Sequence, residues 1–154
     1  MNIFILDEDV EKCARYHCNK HLVKMLVEYA QILSTTNRIC GLDEGYRAVF
    51  VNHPCTVWAR QCFDNWYVVK LLANELNKEL IYRGFRHHSS IDVINSLSNP
   101  PLPILGKITK PYQAMPSKYK QDDYVQAYRD YYIGEKQHIA DWGKRGMPYW
   151  FVRK

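Results

Sequence analysis

The chain has 154 residues, 47% of them hydrophobic, 24% charged and 14% aromatic. That is enough apolar material for one domain with its own core, and too much for a disordered chain. A formal net charge of +5 suits a phosphate-rich partner without requiring one, and no run approaches the ~18 apolar residues of a membrane span.

Asn2 to Leu6 (NIFIL) is too short to assign by periodicity and reads as a buried extended segment or a tucked N-terminal arm. Asp7 and Asp9 then offer N-cap oxygens to a long first helix that runs to Ser34 or Thr36. At ~100° per residue, Leu22, Leu26, Tyr29 and Leu33 form one stripe. His17, His21, Lys24 and Glu28 form an ionisable stripe beside it. The stretch from Arg38 to Asn52 reads as a loop, in which Tyr46–Val51 can add a helical turn. Asn52-His53-Pro54 marks a second helix start, since proline favours the first helical position.

The second helix is expected from Pro54 to about Arg83, with Gly84 as its terminating glycine. Ser89 or Ser90 caps a short third helix through about Leu97. Asn99 to Pro116 holds five of the seven prolines and reads as a long irregular loop. Asp122 and Asp123 open a fourth helix running to about Trp142, weakened in its middle by Gly134. Gly143 and Gly146 end it before the aromatic, basic tail. The expected fold is all-α: a single compact domain over residues 1–154, with two long packed helices, shorter covering helices and a proline-rich loop.

The five cysteines, Cys13, Cys18, Cys40, Cys55 and Cys62, are odd in number and form no C-x-x-C, which fits reduced thiols and a cytoplasmic setting. Cys13, His17 and His21 recur every four residues, a spacing from which two histidines can chelate zinc with Glu28 or His138. No H-E-x-x-H pattern accompanies them, and no metal or cofactor is assigned. Glu28, at the edge of the apolar stripe, reads either as a general acid/base or as the ion-pair partner of Lys24 or His21. Arg83, Arg86, His87, His88 and the loop lysines Lys107 and Lys110 can contact phosphates. The tail interleaves Tyr149 and Trp150 with Lys144, Arg145, Arg153 and Lys154, the mixture a nucleic-acid or nucleotide surface uses; its alternative is a tail docked on the core.

Several motifs, in order, resemble the bacteriophage pyrimidine-dimer DNA glycosylase/AP lyases of the endonuclease V type and their bacterial relatives. They are His21-Leu22 followed by Glu28-Tyr29-Ala30-Gln31-Ile32-Leu33, then Gly45-Tyr46-Arg47 and Asn52-His53-Pro54. Tyr82-Arg83-Gly84-Phe85, Met115-Pro116-Ser117-Lys118-Tyr119 and the pairs Lys144-Arg145 and Tyr149-Trp150 complete the set. The resemblance implies an all-α enzyme of phage type that bends double-stranded DNA, flips a nucleotide out and cuts the N-glycosidic bond of a damaged or modified pyrimidine, with or without AP-lyase activity. It also implies that an N-terminal α-amine attacks C1′ while the glutamate at Glu28 stabilises the cation and moves protons. The phage enzymes expose a small residue after methionine removal; here Met1 precedes Asn2, so the expected catalytic pair is Met1 and Glu28. The expected substrate-binding residues are His17, His21, Lys24, Asn52, His53, Arg86, Lys144, Arg145, Tyr149 and Trp150. A free-nucleotide or modified-base binder on the same scaffold is the alternative reading.

Overall fold

The apolar run at the N-terminus forms no helix or strand. In the computed structural model, which describes residues 1–154, Ile3–Leu6 is an extended arm with every residue less than 8% exposed. Asp9 caps the first helix, its side chain accepting from Lys12 N at 2.9 Å. Six α-helices are present: α1 (Val10–Tyr16), α2 (Asn19–Ile39), α3 (Pro54–Ala59), α4 (Phe63–Tyr82), α5 (Ser89–Ser96) and α6 (Tyr124–Glu135). Short 3₁₀ turns occur at Ser117–Tyr119, Gln137–Ile139 and Gly143–Arg145. No strand forms, and the two long helices α2 and α4 pack on each other. No helix is long and apolar enough to cross a membrane.

The single first helix expected from periodicity is two helices. His17 and Cys18 are extended, because every carbonyl at the end of α1 finds a partner other than the next helical N–H. The His17 imidazole bonds to Cys13 O through Nδ1 at 2.7 Å, and His17 N donates to Ala14 O. Arg83 donates to the carbonyls of Arg15 and His17, both at 2.9 Å. Trp142 Nε1 donates to Tyr16 O at 2.8 Å. The chain then restarts as α2 and runs past the expected stop, to Ile39.

The second expected helix is also divided, at Arg60–Cys62. Asn65 Nδ2 takes the Trp58 carbonyl at 2.8 Å, and Pro103 O receives the first N–H of α4 from Phe63. His53 caps α3 ahead of Pro54, its Nδ1 accepting from Cys55 N. At the other end of α4, Gly84 adopts φ +88°, while Gly84 N and Phe85 N close onto Ile81 O and Leu80 O, the left-handed cap that favours glycine.

The fourth helix stops at Glu135, short of the expected Trp142. Gln137 offers its side-chain amide to Ile133 O at 2.9 Å, where continued helix would use its backbone N–H. Tyr46–Val51 adds no helical turn. The Thr35 hydroxyl holds Val49 by both its N–H and its carbonyl, and Arg38 Nε holds Tyr46 O. One apolar core of 33 buried residues runs from Ile3 to Phe151.

Candidate active site

Glu28 lies on α2 where the N-terminal arm crosses it, and is 8% exposed. Its Oε2 accepts from Asn2 N at 2.8 Å and lies 3.9 Å from the Met1 α-amine. Its Oε1 lies 3.6 Å from Lys24 Nζ, one helical turn back, whose side chain is mostly in solvent. One carboxylate therefore faces two cations and a backbone donor at the margin of the core, where such hydrogen bonds gain strength.

The arm is fixed from the opposite side. Asn2 Nδ2 donates to Ala114 O at 2.8 Å, and the buried Tyr128 hydroxyl lies 2.9 Å from Asn2 Oδ1 and 2.7 Å from Tyr112 O. The Met1 side chain is enclosed, and the Thr56 hydroxyl lies 3.5 Å from its Sδ. α3 completes the site. His53 is half-buried, and burial together with the α-amine's charge lowers its pKa, against the opposing pull of Glu28. Burial pushes the nearby Cys55 thiol up to about 12, so it stays protonated and is no nucleophile.

Beside this cluster opens a cleft of about 510 Å³ lined by Asn52, Pro54, Trp58, Tyr112, Lys110 and Lys120, among others. Lys120 Nζ sits 5.4 Å from the Tyr112 ring centroid. Amide side chains from Gln61 and Gln113 also line the cleft, which gives it aromatic faces, hydrogen-bonding edges and positive charge together. On the other flank, Lys20, Val23 and Lys24 form a shallow surface with Phe85. Arg86 follows Phe85, exposed and without a protein partner.

The other residues picked from the sequence lie elsewhere. His17 is wholly buried, with Nε2 unpartnered, and burial lowers its pKa to about 4. His21 stacks on Phe4 with centroids 4.6 Å apart and bonds to the Tyr132 hydroxyl through Nδ1; burial, then the positive groups around it, lowers its pKa to about 3. The two imidazoles are thus committed to different partners, and no group of three or more His, Cys, Asp or Glu is placed to hold a metal ion.

Arg145 makes a two-pronged pair with Glu79, both bonds 2.8 Å, and with Lys144 it covers the Tyr82 ring. Burial raises the Glu79 pKa, but the bonds from Arg145 and Arg83 outweigh it and hold the carboxyl below its ordinary value. Trp150 is partly buried and Tyr149 is 81% exposed. Both rings lie within 6 Å of the Arg129 guanidinium, which docks the tail against α6 and α1 rather than beside Glu28.

Asn2, Tyr128 and Tyr112 carry no signal in the sequence beyond a polar Asn2 heading an otherwise apolar run. Geometrically, the arrangement offers a primary amine, a carboxylate to handle its protons, and an adjoining cleft with aromatic and cationic walls. Among known families, a model described as pyrimidine dimer DNA glycosylase matches residues 1–93, more than half of the chain, including Met1, Glu28 and α3. Neither the curated proteins nor the solved structures contain a significant match.

Proposed function

Because the chain belongs to the pyrimidine dimer DNA glycosylase family, we propose that it excises a damaged or modified pyrimidine from double-stranded DNA through its N-terminal amine. The observation that carries this reading is the Met1 α-amine 3.9 Å from Glu28 Oε2. α-Amines ordinarily titrate at ~7.7–8, leaving a neutral fraction near pH 7. The amine lone pair attacks C1′, the N–C1′ bond forms, and the glycosidic bond breaks with its electron pair leaving on the base. Glu28 accepts the proton the amine sheds and stabilises the positive charge that develops at the sugar. Ring opening leaves an imine between chain and sugar, from which β-elimination cuts the strand in the AP-lyase branch.

Nucleotide flipping supplies the access, since C1′ is shielded within the stack. The cleft at Asn52, Trp58 and Tyr112 accommodates the extruded nucleotide, with Lys110 and Lys120 on its phosphates. The exposed Lys24 and Arg86 contribute further phosphate contacts, and the five free cysteines accord with a reducing setting. Removal of Met1 would make the Asn2 nitrogen, 2.8 Å from Glu28, the free amine.

Borohydride trapping on an abasic duplex, combined with base release from a dimer-containing duplex, tests the mechanism. The wild-type protein is expected to be trapped covalently, and N-terminal acetylation to abolish trapping. Glu28→Gln is expected to slow base release about 10²- to 10⁴-fold. No trapping, with base release unchanged in Glu28→Gln, would overturn it, and intact mass identifies which residue carries the amine.

A further inference from the structure

The loop between α2 and α3 holds Phe50 at φ +49°, the only non-glycine residue in the left-handed region. For a bulky aromatic that conformation is disfavoured, and it persists only where the surroundings impose it. Here they do, from three sides. The Thr35 hydroxyl grips Val49 through both N–H and carbonyl at 3.0 and 3.1 Å. Phe50 O accepts from His53 N at 2.9 Å, and Arg60 Nη1 donates to Val51 O.

What this rigid mounting holds out is apolar. Phe50 is 62% exposed and Val51 beside it 39%, so neither ring nor branch stabilises the core. Three residues before Phe50, Arg47 is exposed and pairs with no protein group. Three residues after it, His53 feels the charges of both the α-amine and Glu28. A blade of apolar surface, with a free cation three residues before it, is therefore tied through the Phe50 carbonyl to His53, the α3 cap whose ring feels the α-amine and Glu28.

Resting on the DNA-glycosylase reading, we propose that Phe50, seconded by Val51, is a wedge that enters the base stack of duplex DNA where the target nucleotide leaves it. Apolar side chains inserted at a base step replace lost stacking and hold the kink open. A wedge already locked in its working conformation loses little freedom on insertion, which explains why the loop retains a strained residue. Arg47 is placed to meet a phosphate beside the insertion point.

The test uses the whole protein and a duplex carrying an abasic site with 2-aminopurine as the neighbouring base. Wild-type protein is expected to raise the fluorescence as the stack opens, and Phe50→Ala to weaken both the rise and the duplex affinity about tenfold. Phe50→Trp should restore them. On single-stranded abasic DNA, which has no stack to enter, borohydride trapping of Phe50→Ala relative to wild type should approach unity. Equal fluorescence and affinity for Phe50→Ala and wild type on the duplex, or no rise with wild type, overturns the wedge. A rise that depends on Phe50 without trapping on either DNA upholds the wedge and removes the amine chemistry instead.

Discussion

At Gly134 a hydrogen is all the space allows. A Cβ there would lie 2.0 Å from the Tyr119 hydroxyl oxygen and 2.5 Å from its ring carbon, while that hydroxyl donates to Glu135 Oε1 at 2.9 Å and Lys118 pairs with the same carboxylate. By intrinsic propensity, Gly134→Ala should favour α6 by about 1 kcal/mol. The steric conflict is larger, and the variant is expected to lose about 1–3 kcal/mol in urea unfolding. A more stable variant would mean that Tyr119 swings aside freely. The residue read from sequence as a weak point in a helix is therefore a contact point, because propensity carries no information about a ring arriving from fifteen positions earlier. Glu28 was legible at this scale, since an acid on the rim of an apolar stripe announces itself. Its principal partner was not: the contact is to the backbone nitrogen of Asn2, and a backbone atom has no residue-type signature.

Among the elements, the end of α4 does more than terminate a helix. Arg83, whose side chain is 1% exposed, pairs with Glu79 at 2.7 Å and holds two carbonyls at the end of α1 as well as Asn19 Oδ1. Arg83→Ala would leave a buried carboxylate short of one partner and orphan those carbonyls, and is expected to cost about 3–5 kcal/mol. Arg145→Ala removes the more exposed arm of the same network and should cost less than half as much; chemical denaturation of the two variants checks the order. The same contacts explain why periodicity misplaces the helix boundaries. The apolar pattern continues from Cys13 to Leu33 across the His17–Cys18 break, because the restart keeps the buried face in phase. What divides α1 from α2 is the supply of donors from Arg83 and Trp142; between α3 and α4, Asn65 supplies a donor and the Pro103 carbonyl an acceptor. Caps built from nearby residues at Asp9, His53, Asp123 and Gly84 were visible, but that of α5 was not, since His88 takes Ser90 N at 3.2 Å in place of the expected Ser89 or Ser90; caps built across the molecule carried no local signal.

For the molecule as a whole, acid is the condition that matters. His17 and His21 are held neutral, with pKa values lowered from 6.5 to about 4 and about 3, first of all by burial. Between those values and 6.5 the unfolded chain binds more protons than the folded one, so stability rises with pH there. The contribution is fully present above about pH 6.5 and is lost as pH falls toward 4, at up to about 1.4 kcal/mol per pH unit for each histidine. Carboxylates held low, such as Glu79, add their loss only below their ordinary 4.5. Unfolding free energy measured from pH 7.5 to 4.5 should therefore decline from about 6.5 downward, and His21→Gln should make the decline shallower. A flat wild-type profile over that range would contradict the buried-neutral assignment.

The seating of Asn2 against Ala114 and Tyr128 carries a consequence for how the protein is made. The arm is held by side chains from α6, and α1 behind it waits for Trp142. Such distant pairings form late, after most of the chain is available. Until then the Met1 nitrogen has no fixed relation to Glu28, and the 3.9 Å contact between them is among the last to be set. Asn2 is synthesised long before Tyr128, and its seat is completed only when α6 arrives.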